Sequence, residues 1–346
     1  MYYSDNKKFF TKYDALKHQL NTKEEIFFYY YDDLFQRYDW TIEPPETLDF
    51  YYKEQAQRIR DNYDYVILCF SGGIDSTNIL NSFHFNNIKI DKIITVGAFS
   101  QDSHSMTYEN NNGEIYFVAH PYLRELGLES ITQHIDYTKL FDNMNQFSIT
   151  KYGSEWYKVL GSWFSPHHWF WRDLPKYVVP SNIKDKKVAI IFGTDKPYLM
   201  FDERRRLGFR FSDSDLQQMG NTNYGNGCEK INFYWDKDFP LILIKQLHIL
   251  KRAYNIKRTI KQDTIRKIQV ISDLYVDELV YKLKKPLTYV SPKSPTRFLS
   301  VRDSYLLSKK NSDVYKIFVS GITNMNNSIS GLDNFKSYFS KFYRIE

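Results

Sequence analysis

The stretch VILCFSGGIDSTNIL, residues 66–80, constrains this chain more than any other: a solid apolar run is broken by two adjacent glycines, then by Asp-Ser-Thr and a new apolar series. A buried strand turning abruptly into a helix fits that order. Paired glycines allow a tight turn and bring the backbone close to a ligand with no Cβ in the way. The helix start adds N–H groups outside the hydrogen-bond ladder and the positive end of the helix dipole. Phosphate suits such a turn. Ser71, Ser76 and Thr77 supply hydroxyls, and Asp75 can hold a Mg²⁺ that bridges phosphate oxygens. Without any ligand, the same residues make a tight turn at Gly72-Gly73 and a helix cap at Asp75-Ser76. The loop matches neither GxGxxG nor GxxxxGK[ST].

The surrounding pattern gives the loop its setting. YDYVILCF, DKIITVGA and KKVAIIFG are short apolar runs that end in glycine or a turn, as buried parallel strands do, and ESITQHIDYT supplies one more. Helices are predicted between them over 75–85, around 121–126 and over 154–164. This alternation predicts an α/β, doubly wound, Rossmann-like parallel sheet over residues 63–200. Residues 1–62 read as a helical lead-in, with a capping box at Thr22 and Glu25 starting a helix towards Trp40. A second helix follows Pro44-Pro45, where Leu48, Tyr51 or Tyr52, and Ile59 recur at helical spacing. Residues 201–346 read as a mostly helical substrate or partner region. There FPLILIKQLHILKRAYNIKRTIKQDTIRKIQVI predicts a helix apolar on one side and basic on the other.

Of 346 residues, 42% are hydrophobic and 25% charged, which excludes a largely disordered chain. The net charge of +6 suits an anionic partner. Abundant Lys, Asn, Ile, Tyr and Phe, however, resemble the usage of an AT-rich genome such as a phage's, so charge alone carries little weight. Cys69 and Cys228 form no CxxC pair, and neither a disulfide framework nor a cysteine zinc site is supported. No window approaches the roughly 18 apolar residues of a membrane span, and no secretory h-region stands at Met1. A cytoplasmic protein is expected, in the host cytoplasm if viral, with no membrane partner.

Residues Ser71, Gly72, Gly73, Ile74, Asp75 and Ser76 match SGGxDS completely, and here the chain resembles the PP-loop ATP pyrophosphatase superfamily. The resemblance covers the core, less than half of the chain. It implies a Rossmann-like sheet of the adenine nucleotide alpha hydrolase (HUP) type, ATP split into AMP and pyrophosphate, and a loop that cradles the pyrophosphate. GTDKPYL, residues 193–199, is similar to the GxDE-plus-aromatic element of asparagine-synthetase-type members. By that similarity Gly193 lies at the nucleotide and Asp195 shares Mg²⁺ with Asp75. Lys196 stands where the family has glutamate, either contacting phosphate or marking a departure. Val96 and Gly97 end the next strand, where similar enzymes hold adenine through the backbone; a plain strand end is the alternative.

Arg204, Arg205 and Arg206 follow closely and can clamp pyrophosphate or form a solvated face. WFSPHHWFWRDLP, with His167 and His168, can line a pocket or pack a core. Lys245, Lys251, Arg252, Lys257, Arg258, Lys261, Arg266 and Lys267 can grip nucleic-acid phosphates or be solvated. The expected function is an ATP-dependent adenylating ligase, asparagine-synthetase-like, acting on a small-molecule acceptor with ammonia or an amine. The chain shows no glutaminase cysteine after Met1, so a partner glutaminase is one nitrogen source. No general base is identifiable. The alternatives are a nucleoside, tRNA or DNA modifying enzyme, and a nucleotide-binding protein without turnover, which Lys196 favours.

Overall fold

A computed structural model describes residues 1–5, 7–97, 115–136, 149–159, 173–183, 185–193, 199–204, 206–213, 227–256, 311–329 and 338–346. Its centre is a five-stranded parallel sheet in the order β10-β7-β4-β5-β6. The strands are β4 (Tyr65–Cys69), β5 (Lys92–Gly97), β6 (Thr132–Asp136), β7 (Val188–Phe192) and β10 (Cys228–Asn232). β7 is buried at every position and β4 through Val66, Ile67 and Leu68, because layers on both faces leave no solvent side.

The chain enters the sheet at its middle. From β4 it steps outward to β5 and β6, then returns to the other side of β4 to lay down β7 and β10. The direction of winding therefore reverses between β4 and β7, and the crevice outside the strand ends opens there. Helix α4 (Ile74–His84) joins β4 to β5, and α5 (His120–Glu125) lies between β5 and β6. Right-handed crossovers put both on one face, and Tyr122 ties them by donating from its hydroxyl to Asn81 Oδ1 at 2.7 Å. The opposite face carries Pro175–Val178, where Val178 O accepts from Lys92 Nζ at 2.8 Å.

Helix α3 (Leu48–Asn62) starts at Thr47, whose hydroxyl accepts from Phe50 N–H at 3.3 Å. It buries Leu48, Tyr51, Tyr52, Gln55, Ala56 and Ile59, the stripe that its spacing predicts. The helix Leu241–Ile256 lies beside it, with Gln246 Nε2 donating to Tyr52 OH at 3.0 Å.

Two small antiparallel sheets flank this core: β2-β1-β3, from Lys8–Phe9, Tyr2–Tyr3 and Phe27–Phe28, and β11-β9-β8, from Tyr343–Arg344, Leu207–Phe209 and Met200–Phe201. Aromatic packing joins their surroundings, with the Trp40 and Tyr343 ring centroids 4.5 Å apart and Tyr30 and Phe211 4.7 Å apart. Under the first sheet, Lys12 Nζ meets Asp213 Oδ2 at 2.8 Å, both side chains almost wholly buried, and Tyr2 OH donates to the same oxygen at 3.0 Å.

Several expectations change. Thr22 ends α1 (Lys12–Thr22) instead of starting a helix. Its hydroxyl donates to His18 O at 3.0 Å and accepts from Glu24 N–H at 3.2 Å, and Lys23 turns left-handed at φ 63°. The aromatics that follow pair as β3, and only the single turn α2 (Asp32–Phe35) is helical, so residues 1–62 are not a purely helical lead-in. The parallel sheet continues past residue 200, because β10 supplies its edge. Residues 201–346 likewise contribute strands as well as helices. The helix expected over 154–164 is a 3₁₀ segment, Gly153–Val159, and its remainder lies outside the described residues.

The late helix is buried nearly all round through Leu250 and carries no free basic face there. Lys245 pairs with Glu43 at 2.7 Å, Arg252 pairs with the same carboxylate at 2.5 Å, and Lys251 donates to Ile345 O at 2.8 Å. Lys257, Arg258, Lys261, Arg266 and Lys267 lie outside the described residues. Among the described residues, no helix is long and apolar enough to cross a membrane.

Candidate functional site

β4 passes into the SGGIDS loop at the reversal point. Phe70 N–H still donates to Ile94 O at 2.8 Å, so the loop leaves the sheet at Ser71. Gly72 has φ +82°, a left-handed conformation that costs any other residue type. Gly73 is the N-cap of α4 and provides no side-chain cap. The first intrahelical bond runs from Thr77 N–H to Gly73 O at 2.9 Å, so the N–H groups of Ile74, Asp75 and Ser76 precede the ladder at the crevice.

The loop hydroxyls fix the turn. Ser76 Oγ accepts from Ser71 N–H at 3.2 Å and donates to Gly73 O at 3.1 Å, while Ser71 Oγ accepts from Gly73 N–H at 3.2 Å. Ser76 is buried and Ser71 exposed. The sequence reading assigns both hydroxyls to a ligand; the geometry gives them a further task, holding the backbone so that its N–H groups converge.

Gly193, just after β7, meets the same turn. A Cβ built there would stand 3.0 Å from Ser76 N and 3.2 Å from Asp75 Cβ. The two motifs, far apart in sequence, are thus in van der Waals contact. Asp195 and Lys196 lie outside the described residues, as do Arg205, His167 and His168. Val96 and Gly97 are buried at the end of β5, opposite Ile135 and Asp136 of β6. Arg204 is exposed in the β8–β9 turn, its N–H donating to Asp202 Oδ1 at 3.0 Å, and Arg206 ion-pairs with Asp202 at 2.6 Å.

Sequence reasoning missed the residues that support the loop from behind. Tyr234, just past β10, donates its hydroxyl to Asp75 O at 2.7 Å and accepts from Asn78 Nδ2 at 2.9 Å. Burial and the nearby Asp75 carboxylate hold the Tyr234 hydroxyl protonated, its pKa far above the usual phenol value. Cys69 ends β4, where burial pushes its thiol well above the ordinary range.

The arrangement is a backbone cradle at a helix start, in the crevice of an open α/β sheet, with one half-buried carboxylate, Asp75, beside it. The donor set fits Mg²⁺ in the phosphate-bound mode, which needs only one or two carboxylates and takes its other oxygens from phosphate and water. No family model matches the chain. No curated protein matches it significantly.

Proposed function

We propose that the chain is an ATP-dependent adenylating enzyme with the PP-loop (HUP-type) arrangement. The loop at 71–76 holds the β- and γ-phosphates, and the nucleoside lies towards Val96 and Gly97. One observation supports this above all: the strand order brings Ser76 and Gly193, the two sequence-predicted motifs, into contact at the switch point of the sheet. The N–H groups of Ile74, Asp75 and Ser76 bind phosphate oxygens, and the positive end of α4 stabilises the leaving pyrophosphate. Asp75, with Asp195 by the resemblance, would hold Mg²⁺, which would supply positive charge against the phosphate oxygens. An acceptor oxygen, best a carboxylate, attacks the α-phosphorus in line with the α–β phosphate bond and yields an acyl adenylate and pyrophosphate. Ammonia or another amine then takes the acyl group and AMP departs.

ATP–pyrophosphate exchange measured across carboxylic acids, nucleosides and tRNA tests the reaction, and calorimetric titration with Mg-ATP and Mg-tripolyphosphate tests the cradle. Binding of both polyphosphates with exchange dependent on a carboxylic acid is the expected result. Exchange dependent on tRNA or a nucleoside would move the acceptor to nucleic acid, and absence of polyphosphate binding would overturn the assignment.

A further inference from the structure

A second group of polar side chains stands at the same sheet edge. Thr95 is fully buried on β5, and its Oγ1 lies 3.1 Å from His120 Nε2 and 2.9 Å from His134 Nδ1. Tyr116 OH is 3.3 Å from His134 Nε2. The two imidazoles are edge to face with centroids 5.2 Å apart. His120 opens α5, directly after a π-helical turn, Ile115–Ala119, an irregular backbone form that concentrates at functional sites.

Its position follows from the register. Cys69 pairs with Ile94 across β4 and β5, so Thr95 stands beside the residue that precedes Ser71, one strand spacing or roughly 5 Å away. α5 runs antiparallel to the strands, so His120 at its start faces the crevice edge of the sheet and not the opposite end.

One directional chain of hydrogen bonds satisfies these three contacts. His120 Nε2–H donates to Thr95 Oγ1, Thr95 donates to His134 Nδ1, and His134 Nε2–H donates to Tyr116 OH. Reversal of all the donors satisfies them equally. In the first direction His120 Nδ1 is an acceptor and in the second a donor, and this nitrogen has no hydrogen-bond partner among the described residues. His120 is half-buried, and with Nε2 engaged by Thr95 its Nδ1 is the end of the wire left for a ligand.

We propose that His120 Nδ1 is the proton acceptor for the nitrogen nucleophile, and that Thr95 and His134 position it and relay the charge. The proposal rests on the adenylating reading above. The amine lone pair forms the C–N bond at the acyl carbon, the C–O bond to AMP breaks with its electron pair leaving on AMP, and the nitrogen's proton passes to His120 Nδ1. His120 Nε2–H can shift towards Thr95 in the same event, spreading the charge along the wire.

The groups around His120 suit a base at neutral pH. Burial lowers its pKa below the ordinary imidazole value, Arg124 one turn on lowers it further, and Glu129 opposes them. Thr95 and His134 face it from β5 and β6, and Tyr116 from the π-helical turn, with the Asp136 carboxylate acting on Tyr116. His120 therefore stays unprotonated through neutral pH and loses its base function only in acid.

The test separates the two half-reactions. ATP–pyrophosphate exchange with a panel of carboxylic acids reports adenylation, and AMP release with hydroxylamine as probe nucleophile reports the second step. His120→Gln should leave exchange within twofold of wild type, slow hydroxylamine-dependent AMP release about a hundredfold, and abolish its acid limb. Thr95→Val should slow the same step, and Thr95→Ser, which restores the hydroxyl, should recover it. Equal loss in both half-reactions, or unchanged AMP release in His120→Gln with normal thermal unfolding, overturns the proposal. If wild type binds Mg-tripolyphosphate but exchanges pyrophosphate with no carboxylic acid, the adenylating reading fails, and this role for His120 with it. Exchange without hydroxylamine-dependent release in wild type overturns the proposal alone.

Discussion

The hydroxyl of Tyr234 donates to the carbonyl oxygen of Asp75 at 2.7 Å, bridging the end of the edge strand β10 to the first turn of the helix that forms the phosphate cradle. Tyr234 is almost fully buried and also accepts from Asn78, so the contact is held from both sides. It fixes how α4 begins, and hence where the N–H groups of residues 74–76 aim. Tyr234→Phe keeps the ring and its packing but removes the clamp. Mg-tripolyphosphate affinity should fall several-fold, with a stability loss of about 1–2 kcal/mol from the lost hydrogen bonds. Calorimetric titration beside urea unfolding separates the two, and a stability loss with unchanged affinity would make Tyr234 purely structural.

The glycines of the site should fail in different ways. At Gly72 the backbone itself resists substitution, since φ +82° penalises any Cβ by roughly 1–2 kcal/mol. Gly193 has an unstrained backbone, but its added Cβ would press on Ser76 N at 3.0 Å and on Asp75. Gly193→Ala should therefore cost little stability and tilt the helix start, weakening polyphosphate binding. Gly72→Ala should lower both. Thermal unfolding and titration of the two variants check this pairing, and wild-type affinity in folded Gly193→Ala would remove Gly193 from the site.

What could be read from the chain alone follows the physics of each element. β4 and β7 are apolar and β5 departs from that only at Lys92 and Thr95, because parallel strands are covered on both faces, and the loop at 71–76 is legible because its glycines and serines form the turn locally. β10 was invisible: CEKIN places exposed Glu229 and half-buried Lys230 inside a strand at the sheet's edge, which spoils the apolar run. The TKEE capping box failed because the aromatics after it gain more by pairing with Tyr2 and Tyr3 than a helix would offer. Tyr234, His120 and His134 reach the site through strand order, and no local spacing reports that. Tyr234 stands 159 residues from its partner.

The Lys12–Asp213 pair should be essential to the fold's periphery. Its side chains are 2% and 0% exposed, and Tyr2 donates to the same carboxylate. Removing only the cation leaves a buried carboxylate with hydrogen bonds from Tyr2 and Tyr338 but without its ion-pair partner, so Lys12→Met should cost about 3–5 kcal/mol. The double replacement Lys12→Met with Asp213→Leu should recover much of that loss, because two charges are desolvated no longer. Denaturant unfolding of both variants tests it; a double variant as unstable as the single one would show that the polar contacts, and not charge desolvation, dominate there.

Stability should also rise with pH through a window set by Lys230. This lysine lies on β10 with its ammonium 5.3 Å from the Phe192 ring centroid, and burial pushes its pKa down to about 7, with Cys69 acting weakly in the opposite sense. In the unfolded chain the amine keeps the ordinary lysine value. Between the two values folding releases a proton, so the cost of burying the ammonium is full below about pH 7 and is relieved as pH rises towards the ordinary value. Lys230→Met removes that cost and loses the cation–π contact, worth about 0.5–1 kcal/mol. The variant should be more stable than wild type by about 1–2 kcal/mol at pH 6.5, after allowance for the partly exposed side chain, and the gap should narrow through pH 8 and 9.5 and close only above the ordinary lysine value. Urea unfolding at pH 6.5, 8 and 9.5 measures the gap directly, because every other titrating group cancels between the two proteins. A gap independent of pH would mean that the Lys230 ammonium is solvated in the folded state, and a negative gap at pH 6.5 would mean that its contact with Phe192 outweighs the desolvation.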